Sequence, residues 1–574
     1  MKMKLQRTIN RILTLMLLGI MVLYTGCKKD DETIAISEIP TIASVIPGEG
    51  TIGTELTIKG TNFMENAAVY IGDKASAQVE VFSSTLIYVK VPSGIPAPDI
   101  LLSVKVQNPG GGEKILNNAF KAIKPVLSFV NSATRPSGNI GSTIILEGKA
   151  FGDVKGEGEI LFSDGAGGTI AATVDGIDDW TDEFIVTTVP GGAEDGPVVV
   201  KTGTGNSNEI PFKVTTAAVF SPSTIQWTET TQLPAAVSGH KALPITLEDM
   251  AGVPDQYVFV SGGRTADGDA SDQVLAGLIN SDGTITSWNN AGNLPAPRSF
   301  HASVAATPFN SKVDGSGYIF ILGGINSDGV TVSDVSVAAL DNDGALQGWG
   351  SAMALPEALH SAGAVIFRSA IYIAGGAGGD NSPVSKVYKS KINENGTLDE
   401  WETLPELPSG VAYHGFVSFG GYLYSVGGET GIAEPDQGSQ NTGTKQIFYS
   451  RINLRTGEIG EWQENPNSIG KERSKHSTLI LGGSLFISSG LYQGLTGNTG
   501  GSSENYYANI NSDGTIGTFN GATGSNTLFI KTGNNLFNQS GISYIDSDGV
   551  AHVLITGGAK VGSPSTKLDN VLFY

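Results

Sequence analysis

A chain of 574 residues with a formal charge of −21 has room for several domains, and its acidity excludes nucleic acid and anionic membrane surfaces as partners. Its 77 glycines against only 16% charged residues describe turn-dense β structure rather than long helices. The single cysteine excludes a disulfide framework.

In chain order, residues 1–26 read as a signal peptide. Lys2, Lys4, Arg7 and Arg11 precede an apolar stretch, Ile12–Tyr24, that is too short for an ordinary membrane span. Tyr24-Thr25-Gly26-Cys27 resembles a bacterial lipobox, although Tyr24 stands where an aliphatic residue is usual. The resemblance implies cleavage before Cys27 and lipidation of its thiol, which leaves no thiolate for metal or radical chemistry. The tether, residues 27–38, begins with Lys28-Lys29-Asp30-Asp31-Glu32. As physics it is a solvated linker. It also resembles the export signal of Bacteroidota-type surface lipoproteins, which implies an anchor in the outer membrane facing the exterior.

Residues 39–123 form the next unit. Pro40, Pro47, Gly53 and the run Leu56–Gly60 followed by Thr61-Asn62-Phe63 resemble the IPT/TIG family, which implies an immunoglobulin-like sandwich. A second copy spans 124–215, with Pro136, Gly141, Ile144–Gly148, Phe151 and Pro211-Phe212 in matching places. Neither copy clusters its aromatic residues, so both are expected to act as spacers, with Trp180 in a core.

Residues 216–574 repeat at roughly 50–60 residues. A Gly-Gly closes an apolar strand in YVFVSGG (Gly262, Gly263), YIFILGG, IYIAGG, YLYSVGG and VLITGG, and is degraded to Ser489-Gly490 once. A hairpin and a Trp follow (Trp288, Trp349, Trp401, Trp462), then Leu-Pro and a histidine: His240, His301, His360, His414, His476. Asn-Gly and Asp-Gly pairs supply the positive φ of tight hairpins. These units resemble kelch repeats. Six of them imply a six-bladed β-propeller, and the fold class of the chain is all-β. The last unit lacks a fourth strand, and Ser223–Trp227 is a fourth strand without a blade, so the two are expected to close the ring.

Function is expected on the end of the propeller where the second strand of each blade leaves toward the third. The loops there are long and differ between blades: Arg264–Asp272, Ile325–Asp334, Ala377–Ser382, Glu429–Thr444, Leu491–Glu504 and Ala559–Lys567. The histidines ring the channel near that end, but one residue per blade does not converge to metal-ligand distance. The Asp-Gly turns lack the distal bidentate carboxylate of a calcium loop. Asp267-Gly268-Asp269 with Asp272 is a better calcium candidate, but neither metal nor cofactor is expected. No phosphate loop, His-Glu-x-x-His or nucleophile elbow is present.

Sugars are held by aromatic faces and by charged or amide groups. Arg264, Arg298, Phe300, Tyr413, Arg473 and Tyr492 are the expected ligand-binding set at the channel mouth. The architecture resembles accessory lipoproteins of polysaccharide-uptake systems, which implies a glycan ligand and an outer-membrane transporter complex as partner. Protein adhesion, and a sugar-modifying enzyme resembling the mutarotases, are the alternatives.

Overall fold

The computed structural model describes residues 39–573 except 96–98, 131–135, 175, 177–178, 216–226, 249–253, 309, 312, 342–343, 433–434, 436–441, 482, 494–498, 502–503, 522–535, 546–550 and 561–565. The leader, Cys27 and the tether lie outside the described residues. Among these residues there are strands and no α-helix.

Each of the first two units is a two-sheet sandwich. In the first, Thr41–Ile46, Glu55–Thr61, Leu86–Lys90 and Val79–Ser83 form one sheet, and Glu113–Ala122, Leu101–Gln107 and Ala68–Ile71 are the main strands of the other. Their alternating apolar residues meet in one core containing Leu56, Ile58, Ile87, Val104 and Phe120. The second sandwich repeats the plan, with Trp180 in its core donating Nε1–H to Phe151 O at 3.1 Å. The shared Gly-x-x-Phe signature has a steric cause. A Cβ on Gly60 would lie 1.9 Å from Thr41 O and 2.6 Å from the Phe63 ring, and one on Gly148 would lie 2.0 Å from Val126 O and 2.6 Å from the Phe151 ring. The glycine lets the first strand and the phenylalanine close over the same spot.

The rest is a six-bladed propeller. Each blade is a four-stranded antiparallel sheet, and the innermost strands are Lys241–Glu248, Ala302–Ala306, Gly363–Phe367, Gly415–Phe419, Ser477–Leu481 and Ser540–Ile545. Each inner strand packs on the next, and the sixth packs on the first. The sixth blade takes its outer strand from the N-terminal side, where Thr228 pairs with Phe573 and Glu229 with Leu572. The ring therefore closes one residue beyond the expected segment, of which Ser223–Gln226 lie outside the described residues. The same displacement recurs in blades three and four, where the outer ladder is Glu402–Thr403 and Gln463–Glu464, after the Trp rather than ending in it. The Trp itself ties neighbours together. Trp288, Trp401 and Trp462 donate Nε1–H to Thr231 O, Met353 O and Pro405 O at 2.9–3.1 Å, each in the crossover leading into its blade.

The second sandwich sits on the propeller end formed by the short turns. Arg451 pairs with Asp179, Arg455 donates to Trp180 O at 3.1 Å, and the Arg368 guanidinium lies 3.8 Å from the centre of the Phe184 ring. The two sandwiches meet through Thr51 and Thr204, whose hydroxyls are 2.7 Å apart, and through Glu55 N–H on Asp153 Oδ2 at 2.9 Å.

Candidate functional site: the loop-rich mouth of the propeller

The loop-rich end is built on two cyclic sets of backbone hydrogen bonds. In the first, the second glycine of each Gly-Gly donates to the crossover entering the next blade. Gly263, Gly324, Gly376, Gly428, Gly490 and Gly558 bond Arg298 O, Leu359 O, Val411 O, Arg473 O, Leu536 O and Val237 O at 2.7–2.8 Å. This explains why Ser489-Gly490 is tolerated: the donating glycine is kept, and Ser489 takes the left-handed φ of 61°.

The second set runs around the axis itself. Phe300 N–H donates to Gly239 O, Ser361 to Phe300 O, Tyr413 to Ser361 O, Lys475 to Tyr413 O, Asn538 to Lys475 O and Gly239 to Asn538 O, at 2.7–3.1 Å. All six residues have φ between 52° and 60°. One left-handed residue per blade turns its peptide toward the axis, and the six close a ring. Five of the six carry a side chain, and each pays strain that the closed ring offsets.

This ring redefines the histidines. His240, His301, His414 and His476 each follow a ring residue, but His360 precedes Ser361, so its repeat position belongs to Ala362. The sixth blade has Gln539 there. These side chains reach back to the preceding blade: His240 Nε2 to Thr556 Oγ1 at 2.8 Å, His301 Nε2 to Ser261 Oγ at 3.0 Å, His414 Nε2 to Ala374 O at 3.1 Å and Gln539 Nε2 to Ser488 O at 3.0 Å. Burial pushes His240 and His476 down to about 3, His360 and His414 to about 4, and His301 well below its ordinary value. His240, His301 and His414 are neutral bolts between blades, whereas His360 bonds Ser361 and Asn381 within its own blade. Among the described residues no three of His, Cys, Asp or Glu come together as a metal site.

Four of the expected ligand-binding residues prove to be interior. Arg298 is buried, with Nη1 and Nη2 on Asp334 at 3.1 and 2.7 Å and Nη1 on Gly323 O at 3.2 Å. Arg473 is wholly buried, and its Nη2 meets Glu504 at 3.0 Å. These are equivalent positions of the repeat, each pairing with an acid just ahead of the third strand of its blade. Burial by itself would raise Glu504, yet hydrogen bonds from Lys471, Tyr506 and Arg473 hold it at about 2. Both guanidinium groups are buried against an acid of their own blade, so they support the mouth rather than offer themselves to a ligand, although Arg473 pairs through Nη2 alone. Phe300 and Tyr413 are buried members of the axial ring, 6.0 Å apart edge to face, and close the channel together with Ile325, Ala377 and Ala412. Arg264 and Tyr492 are half-buried at the rim. Arg264 lies 5.7 Å from the Phe300 ring and Lys471 5.3 Å from the Tyr492 ring.

Two residues of the mouth escaped the sequence reading. Glu429 is buried, 3.5 Å from the equally buried Lys475 ammonium, and accepts from Ser474 Oγ at 3.0 Å. Burial pushes the Glu429 carboxyl up in spite of Lys475. Lys475 also lies 4.7 Å from the Tyr413 ring. The signal was present: Glu429 follows Gly428 where four of the other blades have Ile325, Ala377, Leu491 and Ala559. Pro435, from the segment after Glu429, accepts at its O from Asn538 Nδ2 of blade six at 3.1 Å.

A separate cavity of about 410 Å³ lies toward the turn end between blades two and three, lined by Tyr318, Gln347, Ser351, Met353 and Asn395. Its chemistry suits a polar ligand, but Gly396 already covers the Tyr318 ring: a Cβ there would be 2.4 Å from it.

Residues 40–121 match the IPT/TIG domain model. No curated protein matches the chain. Among solved structures, that of YjhT is similar over 60% of this chain and 96% of its own, at 14% identity and a TM-score of 0.42.

Proposed function

We propose that the protein is a surface module that captures a glycan at the loop-rich mouth of the propeller, with the sandwiches as spacers. The observation that carries this reading is the docking of the second sandwich on the turn end, which leaves the variable loops on the uncovered end. Tyr492 supplies a stacking face and Arg264 a polar fork, over a floor formed by Phe300 and Tyr413. Lipidation at Cys27 anchors the chain to the outer face of the outer membrane, beside a transporter complex that takes up the captured glycan. Replacing Cys27 by Ala then releases the protein from membranes washed in high salt.

The direct test is a glycan-array and affinity-gel screen of the chain lacking residues 1–32. Tyr492→Ala weakens a measured affinity on the order of ten- to a hundred-fold with an unchanged melting temperature. Tyr413→Ala is not a clean probe, because Tyr413 belongs to the axial ring. Retention of no glycan, or equal affinity in Tyr492→Ala, moves the ligand elsewhere. A second reading is favoured by one observation, the buried carboxyl of Glu429 beside Lys475: acid–base work on a sugar. Under it, Glu429→Gln abolishes a sugar-anomerisation rate while leaving glycan retention intact.

A further inference from the structure

His360 has a different job from the other histidines of the mouth. It stands just before its ring residue, where the other blades have Ser238, Ser299, Ala412, Ser474 and Phe537. The backbone pairing there, His360 with Ala377, recurs as Ser299 with Ile325, Ala412 with Glu429 and Ser474 with Leu491, so it does not call for an imidazole. The ring lies instead between two polar groups of its own blade. Nδ1 is 3.0 Å from Ser361 Oγ, and Nε2 is 3.0 Å from Asn381 Oδ1.

These partners fix the tautomer. An amide oxygen only accepts, so Nε2 bears the hydrogen and donates it to Asn381. Nδ1 keeps its lone pair, and Ser361 Oγ–H donates to it. Burial holds His360 down at about 4, with Lys475 and Arg264 adding to the effect, so the accepting form prevails at neutral pH. A hydroxyl facing the lone pair of a base, whose other nitrogen is oriented by an amide, is the arrangement that activates a nucleophile.

The fold also holds this hydroxyl still. Ser361 belongs to the axial ring, with its φ set at 54°, whereas the other members are Gly239, Phe300, Tyr413, Lys475 and Asn538. His360 is covered, Asn381 is half-buried and Ser361 is 9% exposed, an opening that suits only a small group. Positive charge stands nearby. The Lys475 ammonium lies 4.7 Å from the Tyr413 ring, itself 6.2 Å from the His360 ring, with the Glu429 carboxyl 3.5 Å from Lys475.

We propose that Ser361, His360 and Asn381 form a hydrolytic site for short acyl esters, with Ser361 as nucleophile, His360 as base and acid, and Asn381 as positioning residue. Ser361 Oγ attacks the ester carbonyl carbon while its proton passes to His360 Nδ1. The C–O bond to the alcohol then breaks, and the departing alkoxide takes that proton. Water attacks the acyl-serine, gives a proton to His360, and the carboxylic acid leaves as the proton returns to Ser361 Oγ. Ester and water become alcohol and acid with no co-reactant. The charges of Lys475 and Arg264 favour the oxyanion in both halves. The site does not rest on glycan capture.

A fluorophosphonate and para-nitrophenyl acetate are the probes, applied to the full chain. The phosphonate is expected to add to Ser361, located by mass spectrometry of the labelled peptide, and the acetate ester to be hydrolysed faster than by the denatured chain. The repeat itself suggests substitutions that the ring accepts: Ser361→Gly copies Gly239, and His360→Ser copies Ser299. Each loses the adduct and lowers kcat/KM by about 10²–10⁴-fold. Wild-type kcat/KM rises with pH through about 4 and then levels, as the His360 lone pair becomes free. Asn381→Asp sets a carboxylate against Nε2 and moves that midpoint upward, which a merely structural role for Asn381 would not do. No adduct at Ser361 in the folded wild type, or hydrolysis that persists in Ser361→Gly, overturns the proposal. The wild-type labelling decides the matter if the variants do not fold. A glycan screen without a hit leaves the ester result standing, and a failed ester assay leaves glycan capture standing.

Discussion

At the loop-rich end the blades meet through backbone hydrogen bonds and neutral histidines, while at the turn end the propeller meets the second sandwich through arginines on Asp179, the Trp180 carbonyl and the Phe184 ring. The first arrangement is strict. Each member of a closed ring depends on its two neighbours, and the glycines beside it have no room for a Cβ. The second is tolerant, because long side chains in partial contact with water readjust individually. A binding surface built on the strict end inherits a rigid scaffold, and a spacer held at the tolerant end needs only to stay attached.

The contrast breaks most severely at a first glycine of Gly-Gly. A Cβ on Gly427 would lie 2.5 Å from Arg473 O at a φ of 58°, so Gly427→Ala must displace the crossover into blade five. We expect a loss of about 3 kcal/mol in a thermal or urea melt. Gly268 has a φ of 93° but nothing within 4 Å of its would-be Cβ, so Gly268→Ala shows the cost of backbone strain alone, about 1 kcal/mol. Equal melting of the two variants would mean that the close approach does not hold the blades.

Acid tests the histidines next. Their folded values are depressed to about 3–4 from an ordinary 6.5. The unfolded chain therefore binds protons first as pH falls below 6.5, and the stability they contribute at neutral pH is lost progressively down to about pH 4. Each contributes on the order of 1 kcal/mol between pH 6.5 and 5. Glu429, raised by burial, acts in the opposite sense and blunts the slope without reversing it. His414→Gln imitates the amide that Gln539 provides in blade six, so it should fold and melt with a shallower pH dependence. An unaltered slope would assign acid sensitivity to other groups.

How much of this was legible in the sequence depended on whether a signal was local. The blades showed because Gly-Gly, Asp-Gly and Trp solve the same packing problem in successive units, and the sandwiches showed through Gly60 and Gly148. The pairing of Arg298 and Arg473 with acids did not show, because Asp334 and Glu504 lie at the far ends of loops with no repeat. His360 was misplaced by two positions, since it precedes the ring residue Ser361 where the other histidines follow theirs, and only φ reveals that. The docking of the second sandwich leaves no periodic trace at all, for it joins Phe184 to Arg368 across separate units.

That docking gives the smallest predicted effect and the sharpest contrast with the ring. Arg451 is about two-fifths exposed and Asp179 about one-tenth, so their attraction is partly screened. A double-mutant cycle with Arg451→Ala and Asp179→Ala should yield a coupling of about 1 kcal/mol at low salt. In 0.5 M salt most of that coupling disappears, because exposed charges are screened within about 4–5 Å at that ionic strength. The Gly427→Ala penalty, being steric, keeps its size under the same conditions. If the cycle shows no coupling at low salt, the Arg451–Asp179 pair does not hold the sandwich, and the attachment rests on Arg368 stacked on Phe184, which Arg368→Ala then reads directly.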